Sequence, residues 1–242
     1  MSEATLAPLP EDWQRLLVVV AHPDDAESGL SSAVARWTRA GKQAVYLLVT
    51  RGEAGIDALA PAECARVREA EEWASARVVG VETVEFLDGY RDGVVEYGLP
   101  LRRDLARAIR RHRPEVVAIV SFEPTFPGGF LNQADHRNVG LATLDAVRDA
   151  ANRWIFPELL DEGHQPWGGT RFIAVNGATV PTHAVDVTDT LDLGIASLRE
   201  HAAYLRHLGS AMDPDAFLRG QAAAAGQRAG SRYAVALQLI QA

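Results

Sequence analysis

The chain of 242 residues has a single cysteine, Cys64. A lone thiol closes no internal disulfide and builds no cysteine-rich zinc centre, so any metal must rest on histidine and carboxylate. Long apolar runs are missing as well. The longest near the amino terminus, Leu16–Ala21, falls far short of the ~20 residues that a membrane span needs. The segment Met1–Gln14 carries Glu and Asp where a secretory leader would be basic, so it reads as a flexible leader on a cytoplasmic protein. Positive charge is in deficit: 24 Lys and Arg against 32 Asp and Glu give a net charge of −8, with no basic block. That balance excludes a nucleic-acid or anionic-membrane partner and leaves a small molecule. There is no Gly-x-Gly-x-x-Gly turn, no Gly-Lys-Ser/Thr phosphate loop, no Gly-x-Ser-x-Gly elbow and no His-Glu-x-x-His. A nucleotide cofactor, a serine hydrolase and a helix-borne metalloprotease are thereby disfavoured.

What the chain does contain is a regular alternation. Hydrophobic residues make up 48% and charged residues 23%, the composition of a globular protein with a sizeable core. Short apolar runs at Leu16–Val20, Ala44–Val49, Thr83–Phe86 and Val116–Val120 alternate with amphipathic segments at Ser28–Ala40, Pro61–Val79 and Leu101–His112. Each helix carries its own stop signal: Gly41, Gly80 and Arg113-Pro114. A Pro- and Gly-rich loop, Phe122–Asp135, leads to a helix over about His136–Ala151, and Arg171–Val175 and Ala184–Val187 read as further strands. The pattern predicts a single α/β domain over residues 1–242, a Rossmann-like parallel sheet with helices on both faces. Residues 190–242 read as helices packed on the core, about Leu191–Leu208 and Pro214–Ala225, with a tail, Tyr233–Ile240, that fits strand or helix. With strand order 3-2-1-4-5, the ligand crevice opens at the carboxyl ends of strands 1 and 4.

Polar clusters follow those two strands: His22-Pro23-Asp24-Asp25 and, 110 residues on, Asp135-His136. His22, Asp25 and His136 supply two imidazoles and a carboxylate, the set that holds a catalytic zinc ion with its fourth position open. Consecutive side chains diverge in an irregular turn, which leaves Asp24 free to accept a proton from water as a general base. The competing reading of the first cluster is structural, with Pro23 fixing the turn and the aspartates capping the next helix.

The motifs Ala21-His22-Pro23-Asp24-Asp25-Ala26-Glu27-Ser28-Gly29, Thr50-Arg51-Gly52-Glu53-Ala54-Gly55 and Asp135-His136-Arg137-Asn138-Val139-Gly140 closely resemble the LmbE-like, or PIG-L, deacetylases. The resemblance continues through Arg68–Gly80, Arg91-Asp92-Gly93 and Asp186-Val187-Thr188-Asp189. It implies a zinc-dependent hydrolase that removes N-acetyl groups, commonly from glucosamine-containing small molecules. His22, Asp25 and His136 would bind zinc, one ion per chain, and Asp24 would be the acid/base. Glu53, Arg68 and Asp92 match positions where relatives contact substrate, and Asp135 would orient a zinc ligand or cap the helix. The pattern breaks at Gln133-Ala134-Asp135-His136, where members commonly carry His-Pro-Asp-His. Gln133 shuttles no proton, but its amide can donate to an oxyanion, a contact worth about 3–4 kcal/mol. His164 and His183, in loops, are candidates to join it. His112, His201 and His207 fall on helices as surface or boundary residues. Pro127-Gly128-Gly129 and Trp167-Gly168-Gly169 read as mobile loops over the crevice. Other divalent metals, a homo-oligomer, a non-acetyl amide as substrate, and a metal- or sugar-binding module impaired by the loss of that His all stay open.

Overall fold

The computed structural model describes residues 4–208 and 212–242. In chain order the elements are β1 (Ala7–Pro8), β2 (Arg15–Val20), α1 (Ser31–Arg39), β3 (Gln43–Leu48), α2 (Pro61–Val78), β4 (Thr83–Phe86), α3 (Leu99–His112), β5 (Val116–Val120), α4 (Ala134–Ala151), α5 (Glu158–Asp161), β6 (Phe172–Asn176), β7 (His183–Asp186), α6 (Leu191–Arg199), α7 (Ala202–Leu208), α8 (Pro214–Ala229) and β8 (Ala234–Gln241). Along β2, Leu16, Val18 and Val20 face one core while Leu17 and Val19 face the other. That two-sided burial is why its sequence is an unbroken apolar run rather than an alternation. Helices α1, α2, α6 and α8 cover the first face, and α3 and α4 the second. Among the described residues, no helix is long and apolar enough to cross a membrane.

The eight-stranded sheet runs β4-β3-β2-β5-β6-β8-β7-β1. Its first five positions are the predicted 3-2-1-4-5 order, all parallel. The order reverses between β2 and β5, so the loops leaving those strands emerge side by side. The remainder departs from a purely parallel sheet. The tail is a strand, β8, inserted antiparallel between β6 and β7. The leader is also ordered from residue 4: β1 pairs with β7, and Leu6, Leu9 and Trp13 are buried. Trp13 stacks edge-on against Trp37 at 5.2 Å, and its indole donates to the Pro10 carbonyl.

Local signals fix most helix ends. Pro61 opens α2, and α8 closes on Gly230 in the left-handed conformation (φ 72°). The predicted helix over Leu191–Leu208 is broken at Glu200-His201 into α6 and α7. His201, expected at a surface or boundary, is instead fully buried.

Leu237 on β8 is fully buried, opposite Asn176 of β6 and His183 of β7. Leu237→Ala therefore leaves a cavity inside the sheet and is expected to cost about 2–5 kcal/mol in urea unfolding. A loss below about 1 kcal/mol would place the tail outside the core.

Candidate active site

The β2 and β5 loops build the floor of a cleft of about 1380 Å³. His22, Asp24, Asp25, Gln133 and His136 line it, together with the Thr125–Phe130 loop and Phe217, Leu218 and Ala222 of α8. Two segments far apart in sequence thus meet where the order of parallel strands reverses.

The ligand atoms are aimed by bonds made on their far sides. Asp25 Oδ2 accepts the backbone N–H groups of Ala21 (3.0 Å) and His22 (2.9 Å), which frees Oδ1. His22 Nε2 faces Asp135 Oδ2 at 3.1 Å and Asp92 Oδ1 at 3.0 Å, so it carries the ring proton and Nδ1 carries the lone pair. Asn132 Nδ2 donates to the carbonyls of Ser121 and Glu123, which makes its Oδ1 the acceptor for His136 Nδ1–H at 2.9 Å. His136 Nε2 is thereby left as a lone pair. His22 Nδ1 and His136 Nε2 stand 3.3 Å apart, and Asp25 Oδ1 lies 3.0 Å from the latter. Two lone pairs and a carboxylate oxygen converge with no proton assigned among them, the donor set that a dication takes. Burial works against the charge of Asp25, but positive charge at His136 and His22, which a dication between them would replace, outweighs it and holds the carboxyl well below the usual range.

Asp24 is held differently. Its backbone is left-handed, with φ 84°, a conformation that costs a non-glycine residue about 1–3 kcal/mol. The Arg68 guanidinium grips the turn by donating to Asp24 Oδ1 and to the Pro23 carbonyl, and Glu72 Oε2 accepts the Asp24 N–H at 3.3 Å. Burial pushes the Asp24 carboxyl up to about 6, with Arg68 opposing the shift and the charge of Asp25 adding to it. Gly52 (φ 64°) and Gly55 make room for the guanidinium, since a Cβ at either would collide with Arg68 Nη1. The Thr50–Gly55 motif thus shapes the seat of Arg68.

Of the three residues expected to meet substrate, Arg68 lines the cleft but is only 2% exposed, and it is engaged by Asp24, by the Gly52 carbonyl and by the Tyr204 ring, 3.9 Å away. Glu53 does not line the cleft; it accepts the Asp92 N–H at 2.9 Å and steadies that loop. Asp92 does border the cleft, while contacting His22. Asp135 is no helix cap. It accepts from Gly93 N and Val95 N and orients His22. Gln133 is exposed at the start of α4 and borders the cleft. His164 and His183 do not line it, and His183 pairs with Thr182 Oγ1 instead. The Pro127-Gly128-Gly129 loop does line the cleft, but Trp167 donates to the carbonyl of Pro114. Pro114 precedes β5, so the Trp167–Gly169 loop sits at the opposite end of the sheet. Sequence reasoning passed over Asn132 and Glu72. Glu72 stands one helical turn beyond Arg68 on α2, and Asn132 lies four residues before His136, just ahead of α4.

Known proteins match this architecture. A diacetylchitobiose deacetylase of Thermococcus kodakarensis is 27% identical over 232 residues, covering 95% of this chain and 84% of that protein. A 1D-myo-inositol 2-acetamido-2-deoxy-alpha-D-glucopyranoside deacetylase of Kineococcus radiotolerans is 34% identical over 170 residues, 57% of this chain and 46% of that protein. The structure of an N,N'-diacetylchitobiose deacetylase from Pyrococcus horikoshii superposes with a TM-score of 0.86 at 27% identity, covering 96% of this chain and 85% of that one. The PIG-L family model, described as GlcNAc-PI de-N-acetylase, matches residues 17–147, the stretch that holds all three converging ligand residues and Asp24. The chain belongs to the PIG-L family.

Proposed function

We propose that the protein is a zinc-dependent N-deacetylase that hydrolyses the acetamide of an N-acetylglucosamine-type conjugate. The observation that carries this reading is the aimed trio of His22 Nδ1, Asp25 Oδ1 and His136 Nε2, with Asp24 lining the same cleft. A zinc ion held by that trio would polarise a carbonyl and acidify water. Asp24 takes the proton from the water that attacks the amide carbonyl. The same carboxyl then returns it to the departing nitrogen, so that the C–N bond breaks to give acetate and a free amine. Arg68 and Glu72 keep Asp24 in its left-handed turn, and Asp135 and Asn132 keep the two imidazoles in the required tautomers. Gln133, exposed on the cleft wall, would donate its amide to the oxyanion.

The named substrates of the relatives, diacetylchitobiose and an inositol-linked acetamido-glucopyranoside, support an amino sugar carrying a further group. A cleft of about 1380 Å³ has room for one. A second reading, an amide with an acyl group larger than acetyl, draws on Phe126, Phe130 and Phe217 along the same cleft. Comparing amine release from N-acetyl- and N-hexanoylglucosamine separates the two. The single buried thiol and the net charge of −8 agree with a cytoplasmic enzyme of small molecules.

Asp24→Asn, isosteric but unable to accept the proton, is expected to keep its metal and lose about 10²–10⁴-fold in kcat. Undiminished turnover would remove Asp24 from the chemistry. Gln133→Ala is expected to lower kcat by about 10²–10³-fold with KM little changed. An unaltered kcat would assign oxyanion stabilisation elsewhere.

A further inference from the structure

Beyond Asp24, its hydrogen-bond partner Glu72 belongs to a second polar cluster, wholly inside the protein. Glu27 of the turn before α1, Glu72 of α2 and His201 of the α6–α7 break are all at most 1% exposed. Glu27 Oε1 accepts from Ser75 Oγ at 2.6 Å and from Ser31 Oγ at 3.4 Å, and Glu72 Oε2 accepts the Asp24 N–H. Their other oxygens, Glu27 Oε2 and Glu72 Oε1, have no hydrogen-bond partner, and neither does either ring nitrogen of His201. Buried polar atoms left unpaired in this way are costly, and a cluster of them calls for a ligand.

The spacing points to the kind of ligand. His201 Nε2 lies 3.5 Å from Glu27 Oε2 and 3.8 Å from Glu72 Oε2. Both are too long for an N–H···O bond, which spans about 2.7–3.2 Å. With metal–ligand bonds of about 2.0–2.1 Å, the edge of a coordination tetrahedron is about 3.4 Å, close to the first separation and a few tenths of an ångström below the second. The cleft trio has comparable spacings of 3.0 Å between Asp25 Oδ1 and His136 Nε2 and 3.3 Å between the two imidazole nitrogens. Charge leads the same way. Burial and the facing charge of Glu27 push the Glu72 carboxyl well above the usual range, and a dication between the two carboxyl groups would offset both effects. The imidazole selects against calcium and magnesium, which take oxygen ligands.

We propose that Glu27, Glu72 and His201 form a second site for a divalent transition-metal ion such as zinc, sharing no residue with the trio in the cleft. The ion ties α2 to the α6–α7 break and to the turn that carries the Asp25 ligand and Asp24. Because these ligands are buried, the ion enters as the chain folds and exchanges slowly. The cleft ion exchanges fast.

The test counts zinc per chain, by elemental analysis after dialysis against buffered Zn²⁺, in the untagged wild-type protein and in His136→Ala, Glu72→Gln and the double variant. Two ions are expected in the wild type, one in each single variant and none in the double variant. EDTA should strip the wild type in two phases, one ion fast and one slow. A wild-type protein that saturates at one ion, lost in His136→Ala and kept in Glu72→Gln, would overturn the inner site and leave a cluster neutralised by protons. Two ions in Glu72→Gln would also overturn it, by locating the second ion elsewhere. One ion kept in His136→Ala and lost in Glu72→Gln would support the inner site while contradicting metal binding in the cleft. If Glu72→Gln does not fold, the wild-type count and the EDTA phases decide alone.

Discussion

The site depends on hydrogen bonds made behind the atoms that matter. His22 presents a lone pair to the cleft because Asp135 and Asp92 hold the proton of its other nitrogen, and His136 does so because Asn132 accepts from its Nδ1. Asp25 presents one oxygen because two backbone N–H groups occupy the other. The parallel pairing of β2 with β5 brings the three together. A candidate metal-ligand set is therefore built into the folded chain, with the hydrogen bonds behind it favouring one tautomer of each imidazole.

The same region carries strain and buried charge that a protein selected for stability alone would avoid. Asp24 sits at positive φ, pinned by Arg68 and Glu72. Arg68 is almost completely buried, stacked on Tyr204 and seated against Gly52 and Gly55. Removing one partner of such a buried ion pair typically costs about 3–5 kcal/mol because the other charge is left uncompensated. The arrangement therefore resists drift. Arg68 and Glu72 thus fix Asp24 in the cleft that the candidate ligand trio also lines.

Features that follow from local sequence were legible. The unbroken apolar run of β2 and its abrupt polar end located His22, Asp24 and Asp25 at the carboxyl edge of a buried strand. Pro61, Gly41 and Arg113-Pro114 marked helix boundaries to within a few residues. What depended on distant partners was hidden. Tyr233–Ile240 fits either strand or helix, and its place between β6 and β7 is fixed only by strands on both sides. Arg68 was identified as a residue of the cleft, which it lines, but its grip on the Pro23-Asp24 turn was hidden because nothing in a helical register reveals that the turn lies across from it. His201 looked peripheral because the break at Glu200-His201 leaves no Gly or Pro signal. The Trp167 loop resembled a lid in composition, yet its indole anchors it beside Pro114 at the far end of the sheet. The departure at Gln133 was visible at once, and the residue lines the cleft.

The central claim is that these aimed ligands hold an ion required for amide hydrolysis. It is tested most directly by following acetate released from N,N'-diacetylchitobiose by the purified protein before chelation, after chelation, and after zinc is restored to one equivalent. The account predicts release that disappears with the cleft metal and returns with zinc. Release that survives complete removal of metal, or no amine formed from any N-acetylglucosamine conjugate by the zinc-loaded protein, would contradict it.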